Sequence, residues 1–377
     1  MTTQTTVEPE LEEFIPDDRG YNFNPGPCVL PETVLKRIRD EFIQFRDSKT
    51  SILEVSHRSS QFEDLVAECQ DRVRDLLGVP DNYHVLLLQG GASLQFSMLP
   101  MNLAPGHGIV QVVNSGRWSG KKITELEIQD IDFEVPASSE DSDFDHIPDF
   151  DQSMVDPSAS YVHICSNETV QGTQWPDLPK TGEVPLVADM SSEIMARTFD
   201  VEDFGAFYGG AQKNMGPAGV TLVVIKDELT QRTPDGVPTM LRYDSHIQKD
   251  SIYNTPPAFA IYGMNLVLEW VQDHGGVEAM EERSHEKSDK IYDIIDGTDF
   301  YEGAAEPESR SRMNITFRLP SEDLEEQFLS EAEDKGMIGL SGHRSVGGCR
   351  ASLYNGLPME AVETLADHMK DFERRNG

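Results

Sequence analysis

The sequence predicts an α/β protein with a mostly parallel sheet, followed by a smaller α+β region. Apolar runs of strand length alternate with helical patterns along most of the chain: HVLLL, IVQVV, YVHICS, VPLVAD, GAFYGG and VTLVVI. Near-continuous apolar strands separated by helices are typical of parallel strands covered on both faces. After a long helix that begins near Pro257, the pattern changes to short strands and charged helices.

Two amphipathic helices precede the first strand. One begins after Pro31, with Val34, Ile38 and Phe42 on one face. For the second helix we expect a capping box between the Ser60 hydroxyl and Glu63, because this spacing satisfies free N–H groups at a helix start. Its apolar stripe is Phe62, Val66, Cys69, Val73 and Leu76, and Gly78 is the predicted end.

The C-terminal region has its own set of elements. A strand in RMNITFRLP is followed by a helix capped by Ser321, by short strands around Ile338 and Ala351, and by a final helix from Met359. We therefore expect three parts along the chain. They are an acidic tail at 1–19, a large domain at 20–270, whose segment 20–31 is able to pack on the small domain, and a small domain at 271–377.

The charge balance is strongly acidic. Asp plus Glu number 67 against 31 Lys plus Arg, a formal net charge of −36. Such a surface suits concentrated salt, where the Debye length falls to about 3 Å at 1 M and self-repulsion is screened. The sequence therefore suggests a halophilic source. It argues against nucleic acid or anionic membranes as partners, because no basic stripe is present.

Cysteine spacing and the N-terminus indicate the compartment. Cys28, Cys69, Cys165 and Cys349 are scattered without CxxC spacing, so we expect reduced thiols and no metal site. The N-terminus is acidic, unlike a signal peptide, and no apolar run approaches the roughly 18 residues of a membrane span. A cytoplasmic protein is expected.

Groups suited to ligand binding follow several of the predicted strands. In such sheets ligands lie at the carboxyl ends of the strands. The candidates are the Gly-rich turn GGAS with Ala92 and Ser93, then Trp118, Asp189 and Lys213. Glycines at a helix start allow backbone N–H groups to approach a phosphate. Together, a phosphate turn, a ring-sized aromatic residue, an acid and a lysine point to pyridoxal phosphate.

Each of these residues also has an ordinary interpretation. GGAS alone is more simply a tight turn, and it lacks the dinucleotide and P-loop patterns. Asp189 fits a structural ion pair. Lys213 fits either a paired lysine or a desolvated amine with a lowered pKa that forms a covalent bond to a carbonyl.

Longer motifs identify a family. The stretches ADMSSEIMARTFDVEDFGAFYGGAQKNMGPAG, LQGGASLQF, EVSHRS, YNTPPAFAIY and GHRSVGGCRAS resemble the phosphoserine aminotransferases. These are dimeric fold-type-I pyridoxal-phosphate enzymes. The likeness runs in order from about Tyr21 to the C-terminal end. It implies a large domain with a mostly parallel seven-stranded sheet and a smaller α+β C-terminal domain.

The resemblance implies a role for each matching residue on the cofactor side. Lys213 matches the lysine that attaches the cofactor covalently, and Asp189 matches the partner of the pyridine nitrogen. The remaining cofactor contacts implied are the stacked Trp118, the neighbouring Gln212, the hydroxyl of Thr169, the phosphate turn Ala92 and Ser93, and Asn254 and Thr255 supplied by the second subunit.

On the substrate side, the resemblance implies a cationic set. Arg350 matches the residue that holds the α-carboxylate. The second anionic group, a phosphate or carboxylate, is surrounded by His57, Arg58, His343 and Arg344. Planar guanidinium groups suit both anions, although an Arg in an acidic protein commonly pairs with a surface carboxylate. Glutamate and 3-phosphohydroxypyruvate are the implied substrates, with homodimeric shared sites.

Two positions depart from the family pattern. Some members carry Arg where Ser93 stands, and some carry Ser where Pro25 stands. Both departures leave the breadth of substrates open. Two other functions remain as alternatives. One is another enzyme of this branch, such as a cysteine desulfurase or an alanine–glyoxylate type aminotransferase, and the other is a cofactor-binding regulator without turnover.

Overall fold

The computed structural model describes residues 19–377. The expected acidic tail, 1–19, therefore lies outside the described residues apart from Arg19. The helices are α1 Glu32–Glu41, α2 Ser60–Leu77, α3 Gly91–Leu103, α4 Arg117–Ile128, α5 Asp227–Thr230, α6 Tyr243–Ile247, α7 Ala258–Asp273, α8 Gly276–Asp296, α9 Glu322–Asp334 and α10 Met359–Asn376. The strands are β1 Tyr21–Asn22, β2 Tyr83–Leu88, β3 Val110–Val112, β4 Phe133–Glu134, β5 Tyr161–Cys165, β6 Asn167–Glu168, β7 Thr173–Gln174, β8 Leu186–Asp189, β9 Ala206–Gly210, β10 Thr221–Lys226, β11 Glu302–Gly303, β12 Asn314–Arg318, β13 Met337–Ile338 and β14 Cys349–Ser352.

The central sheet has seven strands in the order β2-β10-β9-β8-β5-β3-β4. β10 is antiparallel to both of its neighbours, β2 and β9. The other neighbouring strands pair in parallel. The predicted mostly parallel α/β sheet is confirmed, with one reversed strand.

Both faces of this sheet are covered by apolar side chains. Along β2, Val85 and Leu87 join the core on the α2 and α7 side, whereas Leu86 and Leu88 join the core on the α3 side. This alternation follows from the two-residue period of a strand. Burial of each such side chain stabilises the fold by about 1.5–3 kcal/mol. The sheet is therefore a stable base for the loops that follow its strands.

The predicted cap of α2 is wrong by one residue. Ser59, with extended backbone angles, is the N-cap, and its Oγ accepts a hydrogen bond from the N–H of Phe62 at 3.4 Å. Ser60 is instead the first helical residue. Gly78 ends the helix in the left-handed conformation, at a φ of 65°, as predicted.

A second hydrophobic core lies in the C-terminal region. Its sheet has the order β11-β12-β14, and its core draws on α8, α9 and α10. Phe23 and Val29 belong to the same core, and β1 pairs in parallel with β13. On this basis we propose a large domain at 20–270 and a small domain at 271–377, with residues 20–31 packing on the small domain.

None of the helices within residues 19–377 combines the length and the apolar character that crossing a bilayer requires.

Candidate active site

The carboxyl ends of β2, β5, β8 and β9 meet at one cavity of about 110 Å³. α3 and α4 begin at the same edge of the sheet. The cavity is lined by Gly91, Ala92, Ser93, Trp118, Cys165, Asn167, Thr169, Asp189, Ser191, Ser192, Gln212 and Lys213. The sheet thus brings together all of the cofactor-side residues predicted within one chain.

Lys213 lies in the loop that joins β9 to β10 and is only 8% exposed. Its Nζ donates a hydrogen bond to Thr169 Oγ1 at 2.5 Å and lies 5.8 Å from the centroid of the Trp118 ring. Burial lowers the pKa of the Lys213 amine, and the carboxylate of Asp189 opposes this shift. A lowered pKa increases the neutral fraction, which is the form that attacks carbonyls.

Asp189 ends β8 and is 4% exposed. Its Oδ1 accepts hydrogen bonds from the N–H of Ser191 at 3.0 Å and from Ser191 Oγ at 2.6 Å. Burial raises the pKa of this carboxyl, while the two hydrogen bonds from Ser191 lower it. Ser191 therefore orients the carboxylate and favours its charged form.

The start of α3 follows a glycine turn beside the cavity. Gly90 and Gly91 have φ angles of 92° and 69°, a conformation that favours glycine. A side chain at Gly90 would also approach Leu94 to 2.5 Å. The turn leads the chain into a helix of 13 residues whose first residues, including Ala92 and Ser93, line the cavity. A helix N-terminus of this kind favours a phosphate.

Sequence reasoning missed Glu168, which is completely buried beside Thr169. Its carboxylate accepts hydrogen bonds from the N–H groups of Trp118 and Ser119, both at 2.9 Å, and from Ser119 Oγ at 3.0 Å. Burial raises the pKa of Glu168 and these hydrogen bonds oppose the shift. Glu168 thus fixes the start of α4 and with it Trp118. The only sequence signal was an acid placed just after an apolar strand.

Arg350 lies on β14 and is 5% exposed. Its guanidinium donates to the carbonyl of Thr169 at 3.3 Å, so it reaches the cavity from the C-terminal region. Within the described residues, its buried Nε and the buried Nε1 of Trp118 have no hydrogen-bond partner. Buried donors are normally paired, so these two atoms are available to hydrogen-bond a ligand in the cavity.

His343 and Arg344 lie in the loop before β14, outside the lining of the cavity. His343 Nδ1 lies 2.7 Å from Ser345 Oγ. Burial lowers the pKa of His343, and the charges of Arg117 and Arg350 lower it further. The structure therefore places His343 among cations.

The remaining predicted residues do not line this chain's cavity. Arg58 is exposed, and its N–H donates to Ser56 Oγ at 3.3 Å. His57 precedes it in the same turn. Asn254 and Thr255 lie near the end of β2, where Gln89 Nε2 donates to the carbonyl of Thr255 at 3.4 Å.

Known proteins resemble this chain over nearly its whole length. A family model described as Aminotransferase class-V matches residues 20–365. The chain is 50% identical to the phosphoserine aminotransferase of Desulfosudis oleivorans, over 95% of this chain and 99% of that protein. The chain belongs to the phosphoserine aminotransferases. Members of this family are pyridoxal-phosphate-dependent transaminases, and so is this protein.

Solved structures of the family share the fold. The phosphoserine aminotransferase of Bacillus circulans subsp. alkalophilus has a TM-score of 0.92 and 46% identity, covering 96% of this chain and 100% of that chain. The Trichomonas vaginalis enzyme, described with pyridoxal phosphate bound, has a TM-score of 0.89 and 35% identity, covering 93% and 100%. The predicted fold, activity and cofactor are thereby confirmed.

The cavity fits pyridoxal phosphate. The glycine turn before α3 offers N–H groups for a phosphate, and Lys213 offers an amine for an aldehyde. Asp189 offers a carboxylate for a protonated ring nitrogen, and the unpartnered Nε1 belongs to an indole large enough to cover the ring. These donors and acceptors suit an aromatic phosphate ester that carries a basic nitrogen.

Proposed function

We propose that the chain transfers an amino group from glutamate to 3-phosphohydroxypyruvate, giving 2-oxoglutarate and O-phosphoserine in serine biosynthesis. The observation that carries the proposal is one cavity that combines a buried Lys213 and Asp189 with Arg350 at its edge. A non-catalytic regulator would not require a buried amine with a lowered pKa facing a carboxylate.

We assign the cofactor contacts from these positions. Ala92 and Ser93 would hold the phosphate with backbone N–H groups at the start of α3, and Trp118 would cover the ring. Thr169 and Gln212 border the cavity beside Lys213. When bound, pyridoxal phosphate serves as an electron sink for the bond broken at the substrate Cα.

Lys213 is the proton carrier in this proposal. In its neutral form, Nζ would take the proton from Cα of the amino donor and pass it to the cofactor, and in the second half of the reaction it would carry a proton back to Cα of the new amino acid. Thr169 Oγ1, 2.5 Å away, holds the amine near its working position. Asp189, whose carboxylate accepts two hydrogen bonds from Ser191, would keep a proton on the ring nitrogen of the bound cofactor.

The substrate's anionic ends are assigned to cations. Arg350 binds the α-carboxylate, supported by its buried guanidinium with an unpartnered Nε. His343 and Arg344 bind the second anion from the loop before β14. His57 and Arg58 of a second subunit complete this end, because in their own chain they lie outside the cavity.

We propose a homodimer with shared sites, in which Asn254 and Thr255 also reach the neighbour's cofactor phosphate. A mixed-dimer experiment tests this. Lys213→Ala and Arg58→Ala chains should each be poorly active alone, whereas a mixed dimer rebuilds one complete site. Refolding the two variants together should restore substantial activity. Absence of recovery, with mixed dimers verified by two different tags, would mean that each site is built within one chain.

A direct assay tests the reaction. Purified protein loaded with pyridoxal phosphate should convert glutamate and 3-phosphohydroxypyruvate to 2-oxoglutarate and O-phosphoserine, followed by NMR. Alanine with glyoxylate, cysteine alone, and other phosphorylated oxo-acids serve as comparisons. Faster turnover of glyoxylate or release of sulfide from cysteine would favour a neighbouring branch of the family, and no turnover at all would favour a regulator.

We also propose adaptation to high salt, on the basis of the net charge of −36. Acidic side chains repel one another when screening is weak. The midpoint of thermal unfolding should therefore rise as potassium chloride increases. A midpoint that stays flat or falls with salt would remove this proposal while leaving the enzyme assignment intact.

A cytoplasmic location completes the proposal. Both substrates are multiply charged metabolites, which do not cross membranes unaided. Fractionation of source cells with an antibody against the protein should place it in the soluble fraction, and recovery with membranes would contradict this location.

A further inference from the structure

Two basic residues stand at the start of α4, where helix physics disfavours them. The helix begins at Arg117 and has no acidic residue in its first turn. Lys121 follows one turn later, so the two cations share a face and repel each other. Arg117 also lies in the first turn, at the positive end of the helix dipole. In a chain with 67 acidic and 31 basic residues, such a local cost indicates a role outside the helix.

Lys121 lies beside the aromatic wall of the cavity. Its Nζ is 4.5 Å from the centroid of the Trp118 ring. The Nζ of Lys213 is 5.8 Å from the same centroid. Lys121 is therefore close to the cavity that contains the reacting lysine, although it does not itself line it.

Arg117 is tied to the neighbourhood of Arg350. The backbone N–H of Arg117 donates to Gln171 Oε1 at 3.3 Å. The carbonyl of Gln171 in turn accepts from Thr316 Oγ1 at 2.8 Å. Thr316 is the register partner of Arg350 across β12 and β14. Hydrogen bonds through Gln171 thus join the start of α4 to β12, the strand next to the one that carries Arg350.

Several cations cluster around His343. Across residues 19–377, neither Arg117 nor Lys121 forms an ion pair with a carboxylate. Besides burial, the positive charges of Arg117, Arg350, Arg344 and Lys121 lower the pKa of His343. The two buried acids of the site are already engaged: Glu168 accepts three hydrogen bonds from α4, and Asp189 accepts two from Ser191. An unneutralised group of cations at a cavity mouth is a site for an anion with more than one charge.

We propose that Arg117 and Lys121 bind the phosphate group of the phosphorylated substrate and thereby favour it over a substrate with a single distal carboxylate. The proposal rests on the proposed transamination and names the residues that set its specificity. A dianion gains more than a monoanion from each added cation. Ser93, which cannot supply a positive charge, leaves this role to other residues.

The test uses the cofactor-loaded enzyme, so that the cofactor's own phosphate site is already filled. The variants are Arg117→Ala, Lys121→Ala and the conservative Arg117→Lys. Lys226→Ala is the matched control. Lys226 is the last residue of β10 and the register partner of Tyr83, at the end of the strands away from the cavity. Binding of inorganic phosphate is measured by calorimetry, KM and kcat are measured for both substrates, and thermal midpoints are measured without ligand.

We expect each alanine variant to weaken phosphate binding and raise the KM for 3-phosphohydroxypyruvate by about tenfold, the size of one charge-assisted hydrogen bond. The KM for glutamate should change less than about threefold, and kcat should change little. Arg117→Lys should keep part of the affinity. Because the cations repel each other, the thermal midpoint should stay constant or rise.

Four results would overturn the proposal. They are unchanged phosphate binding, equal rises in both KM values, a loss confined to cofactor affinity, and a lower thermal midpoint that accounts for the lost activity. Failure of the parent enzyme to turn over any substrate pair would instead refute the proposed reaction. The phosphate titration would still decide the role of Arg117 and Lys121 in that case.

Discussion

The two ends of the candidate site are built differently. At the cofactor end, Lys213 and Asp189 are buried and held by hydrogen bonds from Thr169 and Ser191. At the substrate end, Arg344 is exposed and forms no ion pair among residues 19–377. A preorganised end suits chemistry that is the same for every substrate. An end with unpaired cations depends on the anion, or a second subunit, to complete it.

The largest effect is expected from Lys213→Ala. Removing the amine deletes both the covalent attachment and the proton carrier, so turnover should fall by several orders of magnitude. Borohydride treatment of the loaded parent should fix the cofactor on the peptide that contains Lys213. Lys180→Ala, which removes an exposed lysine paired with Asp203, should behave like the parent. Labelling of another lysine in the parent would assign the chemistry elsewhere.

Asp189→Asn should have the next largest effect. The amide keeps the shape and the contacts with Ser191 but removes the charge that balances a protonated ring nitrogen. Turnover should fall by roughly 10²-fold, with a changed absorption spectrum of the bound cofactor. Asp189→Glu, which keeps the charge, should be milder. Parent-like turnover in the Asn variant would make Asp189 a structural residue only.

Glu168→Gln tests how the cofactor end is held in place. It weakens the hydrogen bonds at the start of α4 and leaves Lys213 and Asp189 unchanged. The amide retains one acceptor oxygen where the carboxylate has two, so one N–H at the start of α4 should lose its partner. We expect a loss of about 1–3 kcal/mol in the free energy of unfolding, measured with urea. Glu127→Gln, an exposed position on the same helix, is the control. Equal stability of the two variants would show that α4 needs no buried charge.

The smallest expected effect concerns Lys287, which is linked by hydrogen bonds to Asn214, the residue after Lys213. Its Nζ donates to the carbonyls of Tyr354 and Asn355 at 3.0 and 3.4 Å, and Asn355 N–H donates to Asn214 Oδ1 at 3.1 Å. Burial lowers the pKa of Lys287 to about 7. The unfolded lysine titrates near 10.4, so between these values the unfolded chain binds more protons and stability rises with pH.

Lys287→Met should remove this contribution. Between pH 7 and 8 the parent should gain about 1 kcal/mol more in the free energy of unfolding than the variant gains. Chemical denaturation at both pH values measures the difference, so that other titrating groups cancel. The same pH slope in both proteins would mean that Lys287 stays protonated in the folded state.

The sequence predicted the elements with strong periodicity and the residues at strand ends. The apolar runs became the central strands, and Asp189 and Lys213 met because parallel strands share a carboxyl edge. Two adjacent serines could each cap α2, and only the backbone angles of Ser59 decided between them. Glu168 escaped prediction because its partners, the N–H groups of α4, lie far away in the chain. A local pattern contains no information about such a contact.

The reversed direction of β10 has a consequence for how Lys213 moves. β9 and β10 form a hairpin whose base is closed by Gly210 against Thr221 and by the hydrogen bond from Ala211 N–H to the carbonyl of Val220 at 2.9 Å. The N–H of Cys28 also donates a hydrogen bond to the carbonyl of Gln212, the residue before Lys213. These contacts hold the backbone on both sides of Lys213 in place. The Lys213 amine changes position by rotation about side-chain bonds alone, so the proton can be carried without the slower rearrangement of a loop.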